Sequence, residues 1–171
     1  MCEGLPVSGP RLFARLALHP RWRVVVYWRL SQAALRRRFT RPLALVLHAR
    51  ILSMSGAELQ PAAQIGAGLT LKHTTGLVVG GEVVAGERLS LHQNVTLGDK
   101  VPYGGQPVLG DDVVVGAGAC ILGPITVGDR VTVAANSVVL TDVPVDCVVA
   151  GSPARIVRRT GAPQAEPNGV R

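Results

Sequence analysis

The aliphatic residues between positions 59 and 139 recur with a period of six. Leu, Ile or Val stands at Leu59, Ile65, Leu71, Leu77, Val83, Leu89 and Val95 and, in a second phase, at Leu109, Val115, Ile121, Val127, Val133 and Val139. This period fits neither a helix nor the alternation of a lone amphipathic strand. Six residues can form a short strand and a turn with one aliphatic side chain pointing inward, and three such units close a triangular coil. The pattern therefore predicts a mainly β protein, a parallel β-helix with aliphatic ladders at its centre.

Small residues and one interruption refine this prediction. Glycine and alanine follow the aliphatic position in the segments 65–68 (IGAG) and 115–118 (VGAG), as expected for corners with unusual backbone angles and close contact between coils. Val95 and Leu109 are 14 residues apart, two more than two full units. The Gly- and Pro-containing segment 99–107 (DKVPYGGQP) between them is predicted to leave the coil as a loop.

Residues 1–57 differ from the repeat in charge and in periodicity. They contain ten arginines and a single acidic residue. Helical spacing relates Trp22, Val25, Val26, Leu30, Ala33 and Ala34, with Arg23, Arg29, Arg36, Arg37 and Arg38 expected elsewhere on the helix surface. A second helix is predicted to start after Thr40 as N-cap, with Pro42 in its first turn, and to end at Gly56. A shorter helix is predicted at Arg11–Leu18.

Three segments follow from these patterns: a basic helical cap at 1–57, a coil domain at 58–157 and a polar, flexible tail at 158–171. No apolar run is long enough to cross a membrane, and the N-terminus lacks the pattern of a secretory signal. Cys2, Cys120 and Cys147 have neither disulfide parity nor metal-site spacing. A soluble, cytoplasmic protein is therefore expected, in which Cys120 and Cys147 are small apolar fillers.

The basic cap admits more than one interpretation. Its arginines could simply be solvated on helices that pack against the coil, or they could bind membrane headgroups, an anionic polymer such as a polysaccharide, or a protein partner. Nucleic-acid binding is not expected, because no known reading module is present and aromatic residues make up only 4% of the chain.

Candidate chemistry in the coil centres on two histidines. If Leu71 and Leu89 are stacked equivalents, His73 and His92 lie near one edge on neighbouring coils, and Glu58 lies about one coil below His73. A carboxylate that orients a histidine strengthens it as a general base for a hydroxyl proton. Paired histidines can also bind zinc, but a third histidine is missing from the coil. We therefore predict no metal. His92 is a candidate catalytic residue together with His73 and Glu58, and a structural polar residue is the alternative interpretation of His92.

The sequence resembles the hexapeptide-repeat acetyltransferases, most closely the serine O-acetyltransferases. The segments QPAAQIGAGLTLKHTTGLVVG, VTLG, VVVGAGACILGPITVGDRVTVAANSVVLTDVP and VVAGSPARIV carry the resemblance, in matching order and spacing. It implies a left-handed β-helix, a homotrimer and acetyl-CoA as a co-substrate in the groove between two protomers, with no permanently bound cofactor. It also implies direct transfer of an acetyl group to a hydroxyl, with L-serine as the family's acceptor and a place in cysteine biosynthesis.

Individual roles follow from the same resemblance. It implies His73 as the general base, Glu58 as its paired carboxylate and Arg155 as a ligand of a CoA phosphate. Backbone along the pantetheine channel is implied at Gly98, Ala117 and Ala135.

Departures from the family concern the acceptor. Lys72 stands where the family has an acid that holds the amino acid, and Gln106 stands where it has a second histidine, in a shorter loop. Both positions are candidates for acceptor binding. Short relatives that acetylate sugars or exopolysaccharide units also have a His-Gln pair before VTLG, as at His92-Gln93. A saccharide hydroxyl is thus the alternative acceptor, and a non-catalytic trimeric scaffold is the alternative of a different class.

Overall fold

The computed structural model describes residues 20–159, in which two α-helices precede fifteen β-strands. Helix α1 spans Pro20–Leu35 and helix α2 spans Arg41–Ser55, with a 3-10 turn at Arg38–Thr40 between them. Both helices predicted in this range are confirmed. Neither one combines the length and the apolar content that a membrane span needs. The predicted helix at 11–18 lies outside the described residues.

The ends of α2 follow from its boundary residues. Thr40 is the N-cap residue and a proline occupies the first turn, where the missing N–H costs nothing. The Thr40 hydroxyl does not cap α2 but donates to the carbonyl of Ala34 at 2.6 Å, which ties the start of α2 to the end of α1. Gly56 ends the helix in the left-handed conformation, with φ of 63°, and its N–H donates to the Leu52 carbonyl at 2.9 Å.

The buried face of α1 differs from the predicted one. Val24, Trp28, Ser31 and Ala34 are buried, whereas Leu30 is 50% exposed and Trp22 37% exposed. Residues 24–28 (VVVYW) are all apolar, so the sequence pattern does not single out one face. Packing against α2 and the first coil selects it instead.

Helix α1 is also hydrogen-bonded to the backbone of the first coil. The Trp28 indole N–H donates to the carbonyl of Gln60 at 3.1 Å. The Arg29 guanidinium donates to the carbonyls of Ile65 and Gly66 at 2.8 and 2.6 Å. The prediction that Arg29 lies on the free surface is therefore wrong, and burial lowers the pKa of its guanidinium. These bonds fix the helical cap to the coil.

The strands form three sheets that surround one core. Sheet 1 contains β1 (Glu58–Leu59), β4 (Val78–Val79), β7 (Thr96–Gly98), β10 (Cys120–Leu122) and β13 (Val138–Val139). Sheet 2 contains β2 (Gln64–Ile65), β5 (Val84–Ala85), β8 (Val108–Leu109) and β11 (Thr126–Val127). Sheet 3 contains β3 (Thr70–Leu71), β6 (Ser90–Leu91), β9 (Val114–Val115), β12 (Thr132–Val133), β14 (Cys147–Gly151) and β15 (Ala154–Arg159). The chain visits the sheets in turn, which confirms the predicted parallel β-helix, and the five strands of sheet 1 mark five coils.

The register of the coils corrects one sequence prediction. Leu71 pairs with Leu91 and not with Leu89. The cause is the connection from β3 to β4, which has six residues (72–77), whereas four residues (92–95) connect β6 to β7 in the next coil. The first coil is therefore longer by two residues at this corner.

Two aliphatic residues per repeat unit are buried, which explains why the predicted phase was wrong. One lies on the strand and the other lies two residues earlier at the corner, as Val79 and Leu77 do, both fully buried. Up to Leu71 the six-residue pattern follows the strand positions. After the two-residue insertion at 72–77, it follows the corner positions from Leu77 to Val95. Each such side chain contributes about 1.5–3 kcal/mol of burial free energy, so stacking of the coils supplies most of the stability.

The three corners of the coil define three edges of the prism. The loop edge lies between sheets 1 and 2, and here the chain leaves the coil at 99–107. The ion-pair edge lies between sheets 2 and 3 and includes corners 86–89, 110–113 and 128–131. The histidine edge lies between sheets 3 and 1 and includes corners 72–77, 92–95, 116–119 and 134–137.

Charged side chains cover the ion-pair edge. Arg88, Asp112, Arg130 and Asp146 all have φ between 55° and 59° and occupy equivalent corner positions. Arg88 Nε donates to Asp112 at 2.6 Å, and Arg130 Nε donates to Asp146 at 2.6 Å. These guanidinium groups lower the pKa of both carboxyl groups. Every charge in this group of four thus has a partner of opposite sign.

The coil ends in an antiparallel hairpin. Strand β15 folds back on β14 and pairs Val148 with Arg158 and Cys147 with Arg159. The prediction of a flexible tail is therefore wrong at residues 158 and 159, where β-pairing continues. The rest of the predicted tail lies outside the described residues.

Candidate active site

His73 projects from the histidine edge because of the two-residue insertion. Its corner, 72–77, is longer than the four-residue corners above it, and the side chain is exposed. Within residues 20–159 its imidazole makes no hydrogen bond. The ring is therefore accessible to a ligand, and neither ring nitrogen is hydrogen-bonded to the described part of the chain.

His92 lies on the next coil of the same edge, and its ring is held in place. The side chain is half-buried, and Nδ1 lies 3.0 Å from the carbonyl oxygen of Val115. A carbonyl oxygen only accepts, so we assign the proton of the neutral ring to Nδ1. Nε2 then carries a lone pair and is an oriented hydrogen-bond acceptor.

The corrected register brings Lys72, rather than His73, directly below His92. Lys72 N donates to the carbonyl of Leu91 at 2.8 Å, so residues 72 and 92 begin equivalent corners. The Lys72 side chain is exposed and, within residues 20–159, no carboxylate forms an ion pair with it. A cationic residue therefore occupies the same edge as the two histidines, next to His73 in the chain and one coil below His92.

Glu58 begins β1 at the start of sheet 1, half-buried below this corner. Its Oε1 accepts a hydrogen bond from the Gln60 side-chain amide at 3.0 Å. Among the described residues, no hydrogen bond joins Glu58 to His73. A carboxylate has acceptor sites on both oxygens, so the contact with Gln60 leaves Oε2 available.

Gln93 is a feature of this edge to which the sequence analysis assigned no role. Its side-chain Oε1 is buried and has no hydrogen-bond partner within the described part of the chain. A buried amide oxygen without a donor is costly in free energy. The register places Gln93 at the position of His73, one coil higher. The sequence singles out the His92-Gln93 pair only through its resemblance to sugar-acetylating relatives, and the register places Gln93 on the same edge as His73.

Small residues continue the histidine edge above Gln93. Ala117 is half-buried and Ala135 is exposed, and the N–H of Asn136 donates to the carbonyl of Ala117 at 2.8 Å. A Cβ on Gly116 would lie 2.6 Å from the backbone nitrogen of Ala135, so only glycine permits this coil spacing. The result is a strip in which the corner residues 116–118, 134 and 135 are all glycine or alanine, so their own side chains leave the backbone accessible.

The β14–β15 turn closes the upper end of this strip. The N–H of Gly151 donates to the Ser137 hydroxyl at 3.2 Å, which joins the turn to the top corner of the histidine edge. Arg155 follows the turn, and its exposed side chain contacts the carbonyl of Ala154 at 2.9 Å. Six predicted site residues thus lie along one edge: Lys72, His73, His92, Ala117, Ala135 and Arg155.

Two other predicted residues lie elsewhere in the protomer. Gly98 ends β7 at the far side of sheet 1 and pairs with Leu122. The side-chain oxygen of Gln106 accepts from the backbone N–H of Glu82 at 2.9 Å at the loop edge. The structure does not bring these two residues to the histidines within one chain.

Within the described residues, neither the cysteines nor any cluster of metal-ligating side chains is arranged as a reactive site. Cys147 is buried, and Cys120 lies on β10. Among residues 20–159, no group of three His, Cys, Asp or Glu side chains is placed to hold a metal ion. The histidine edge is instead suited to hydrogen bonding and proton transfer beside an exposed strip of backbone.

Comparisons with known proteins identify relatives of this arrangement. Residues 106–141 match the family Bacterial transferase hexapeptide (six repeats). Serine acetyltransferase 2 of Arabidopsis thaliana is 44% identical over 118 residues, which are 68% of this chain and 36% of that protein.

Solved structures give the same result. Soybean serine acetyltransferase complexed with serine has a TM-score of 0.78 and 42% identity, covering 84% of this chain and 59% of that chain. A serine acetyltransferase in complex with CoA has a TM-score of 0.76 and 37% identity, covering 85% of this chain and 60% of that chain. The predicted resemblance is confirmed, while the chain spans only 36% to 60% of these relatives. These relatives lend no support to the saccharide alternative.

Proposed function

Because this chain has the repeat of the hexapeptide transferases and is similar to serine acetyltransferases over most of its described length, we propose that it is an acetyl-CoA-dependent O-acetyltransferase. One observation carries the proposal. A single edge combines an accessible imidazole at His73, an oriented imidazole at His92 and a strip of exposed backbone that ends at Arg155.

The strip suits the shape and chemistry of CoA. Pantetheine is a long, thin arm with two amides, and a channel lined by Ala117 and Ala135 lets it approach backbone N–H and C=O groups. Arg155, directly after the β14–β15 turn, lies at the upper end, where its guanidinium group can bind a phosphate of CoA, whereas Arg158 and Arg159 pair with Val148 and Cys147 at the opposite end of β15. The thioester would then lie at the lower end, near the histidines. A similar protein solved in complex with CoA supports this ligand.

The proposed reaction is direct transfer without a covalent enzyme intermediate. His73 accepts the proton of the acceptor hydroxyl while the hydroxyl oxygen forms a bond to the carbonyl carbon of the thioester. Backbone N–H donors stabilise the oxyanion, the C–S bond breaks, and the leaving CoA thiolate takes up the proton from the His73 imidazolium, which regenerates the base. The free oxygen of Glu58 accepts the second N–H of His73 and stabilises the imidazolium. His92 Nε2 accepts a hydrogen bond from the acceptor, and so we assign it a binding role.

L-serine is the acceptor we propose, which places the enzyme in cysteine biosynthesis. The support is a similar protein solved in complex with serine. Lys72 would pair with the carboxylate of the amino acid, and its charge predicts tighter binding of acceptors that carry an anionic group near the hydroxyl.

We further propose that the active enzyme is a homotrimer in the cytoplasm. Gly98 and Gln106 lie at the loop edge, away from the histidines of their own protomer. A neighbouring protomer that packs its loop edge against the histidine edge would supply both to one groove. The unpaired Cys120 and Cys147 thiols suit a reducing compartment.

Thiol release from acetyl-CoA tests the activity and the acceptor together. The purified full chain is assayed with serine, homoserine and a panel of sugars, and its mass in solution is measured by light scattering. We expect release that depends on serine, from a species of three protomers. Acetyl-CoA binding without thiol release for any hydroxyl compound would show that the chain is not an acetyltransferase. Thiol release with a sugar but not with serine would contradict L-serine as the proposed acceptor.

A further inference from the structure

Helix α2 exposes an apolar face on the side that points away from the coil. Leu45 is 71% exposed, Val46 64%, Leu43 51% and Leu52 48%. Leu45, Val46 and the exposed Ala49 share the side of the helix that faces away from the coil and form what we call the outer face of α2, with Leu43 and Leu52 on its two flanks. Exposed apolar residues that adjoin one another in this way are typical of an interaction surface.

Contacts on the other side of α2 fix the direction of this face. Ala44 and Ile51 are buried, and His48 Nδ1 lies 3.1 Å from the carbonyl oxygen of Leu59 on the first strand. These residues are on one side of the helix, and the outer face lies opposite them. The coil therefore cannot cover the outer face.

The exposed surface continues onto the turn and onto α1. Phe39, in the 3-10 turn, is 96% exposed. Leu30 and Ala33 of α1 and Leu43 and Leu47 of α2 line a shallow groove between the two helices. The apolar surface therefore belongs to the helical hairpin rather than to one helix.

Arginine is the only charged residue type in this hairpin. Residues 20–57 contain eight arginines and no aspartate or glutamate. Arg36, Arg37 and Arg38 are consecutive and exposed at the tip of the hairpin, and Arg41 and Arg50 are exposed on α2. Every charged side chain of the hairpin is therefore positive.

This charge decides between the possible occupants. A second copy of the chain would place like charges against each other, which opposes association through this surface. An anionic lipid bilayer offers negative headgroups to the arginines and acyl chains to the leucine and valine side chains. We propose that the helical hairpin binds the surface of membranes rich in anionic lipid, with the outer face of α2 inserted at the headgroup level. This inference does not rest on the proposed enzymatic function.

Vesicle co-sedimentation of the full chain tests this proposal. The probe is vesicles of phosphatidylcholine with or without phosphatidylglycerol. Val46→Glu places a charge on the outer face, and Val157→Glu is the matched control on β15, because the two valines are 64% and 62% exposed. Circular dichroism checks that both variants are folded. A third variant replaces Arg36, Arg37 and Arg38 by glutamine.

The expected results distinguish insertion of the apolar face from electrostatic adsorption and from self-association. Wild type and Val157→Glu should sediment with the anionic vesicles only, and Val46→Glu should lose at least about tenfold in partitioning. Each arginine removed should lower partitioning by about fivefold at low salt.

Three outcomes would overturn the proposal. One is the absence of wild-type binding to anionic vesicles. Another is full retention of binding by Val46→Glu, which would indicate electrostatic adsorption without contact by the apolar face. The last is self-association in the absence of lipid that Val46→Glu abolishes, which would show that the face is a contact between copies.

Discussion

The corners of the histidine edge and of the ion-pair edge have the same backbone geometry, but their side chains differ in how fully they are paired. Both contain corner residues with positive φ: Asn94 and Asn136 on the first, Arg88 and Asp112 on the second. On the ion-pair edge the charged side chains bind one another. On the histidine edge, counting partners only within residues 20–159, Lys72 has no ion pair, His73 has no hydrogen bond, and a buried oxygen of Gln93 has no donor.

This difference separates stability from function within a regular fold. The backbone of the coil repeats regardless of which side chains stand at its corners. The side chains of one edge can therefore bind one another while those of another edge remain available to a ligand. The unsatisfied groups on the histidine edge are consistent with a site that a ligand completes. Substitutions on each edge can test whether the two edges are in fact independent.

Replacing His73 should have the largest effect. Since the proposed general base is lost, His73→Ala should lower kcat/KM for thiol release by about 1000-fold. The side chain is exposed, so Tm should stay unchanged. Steady-state kinetics with serine and a thermal melt measure the two effects. Retention of activity would remove His73 from the mechanism.

Blocking the backbone strip should have the next largest effect. Ala135→Leu places a larger side chain in the proposed pantetheine channel and should raise KM for acetyl-CoA about tenfold or more with little change in kcat. Ala67→Leu is the matched control, because Ala67 is also exposed but lies at a corner of the ion-pair edge. Equal effects of the two variants would show that the edges do not differ in CoA binding.

Removing the second imidazole should have a smaller effect that is specific to the acceptor. His92→Phe keeps a ring but loses the Nε2 acceptor, and the loss of one hydrogen bond should raise KM for the acceptor about fivefold to tenfold. KM for acetyl-CoA should be unchanged, because His92 lies below Ala117 and Ala135 on the edge. His92→Gln, which keeps an acceptor atom, should recover part of the loss. A pure decrease in kcat would instead point to proton transfer.

Disruption of the ion-pair edge should have the smallest effect at neutral pH. The variant Arg88→Ala/Arg130→Ala should keep activity within about twofold of wild type, since exposed ion pairs are worth little. The arginines lower the pKa of Asp112 and Asp146 below 3.8 in the folded state. Their stabilisation is therefore complete above pH 3.8 and is lost as the pH falls through the lowered values.

Thermal melts of wild type and this variant between pH 5 and 2.5 should accordingly converge at the acid end. A difference in Tm that grows as the pH falls would contradict the assigned pairing. A large loss of activity at neutral pH would show that the two edges are coupled.

The sequence predicted the coil because the coil is local. Every repeat unit places an aliphatic side chain inward, so the period of six is visible in the sequence and was enough to identify the fold. The exact register was not predicted, because residues two apart, such as Leu77 and Val79, are both aliphatic and both buried. The corner at 72–77 is longer by two residues, and a periodic count cannot distinguish that insertion from a continuous phase.

The contacts of individual site residues were less predictable than their positions. His73 and His92 do lie on adjacent coils of one edge, but the correct neighbour of His92 is Lys72. Glu58 contacts Gln60, and His92 contacts a backbone carbonyl. Such partners depend on rotamers and on neighbouring coils, about which the sequence contains no direct information.

The structure of the full chain bound to CoA tests the central claim most directly. We predict that the pantetheine arm lies along Ala117 and Ala135, with its phosphates near Arg155 and its thiol near His73. Binding along the ion-pair edge, or a thiol remote from both histidines, would contradict this claim.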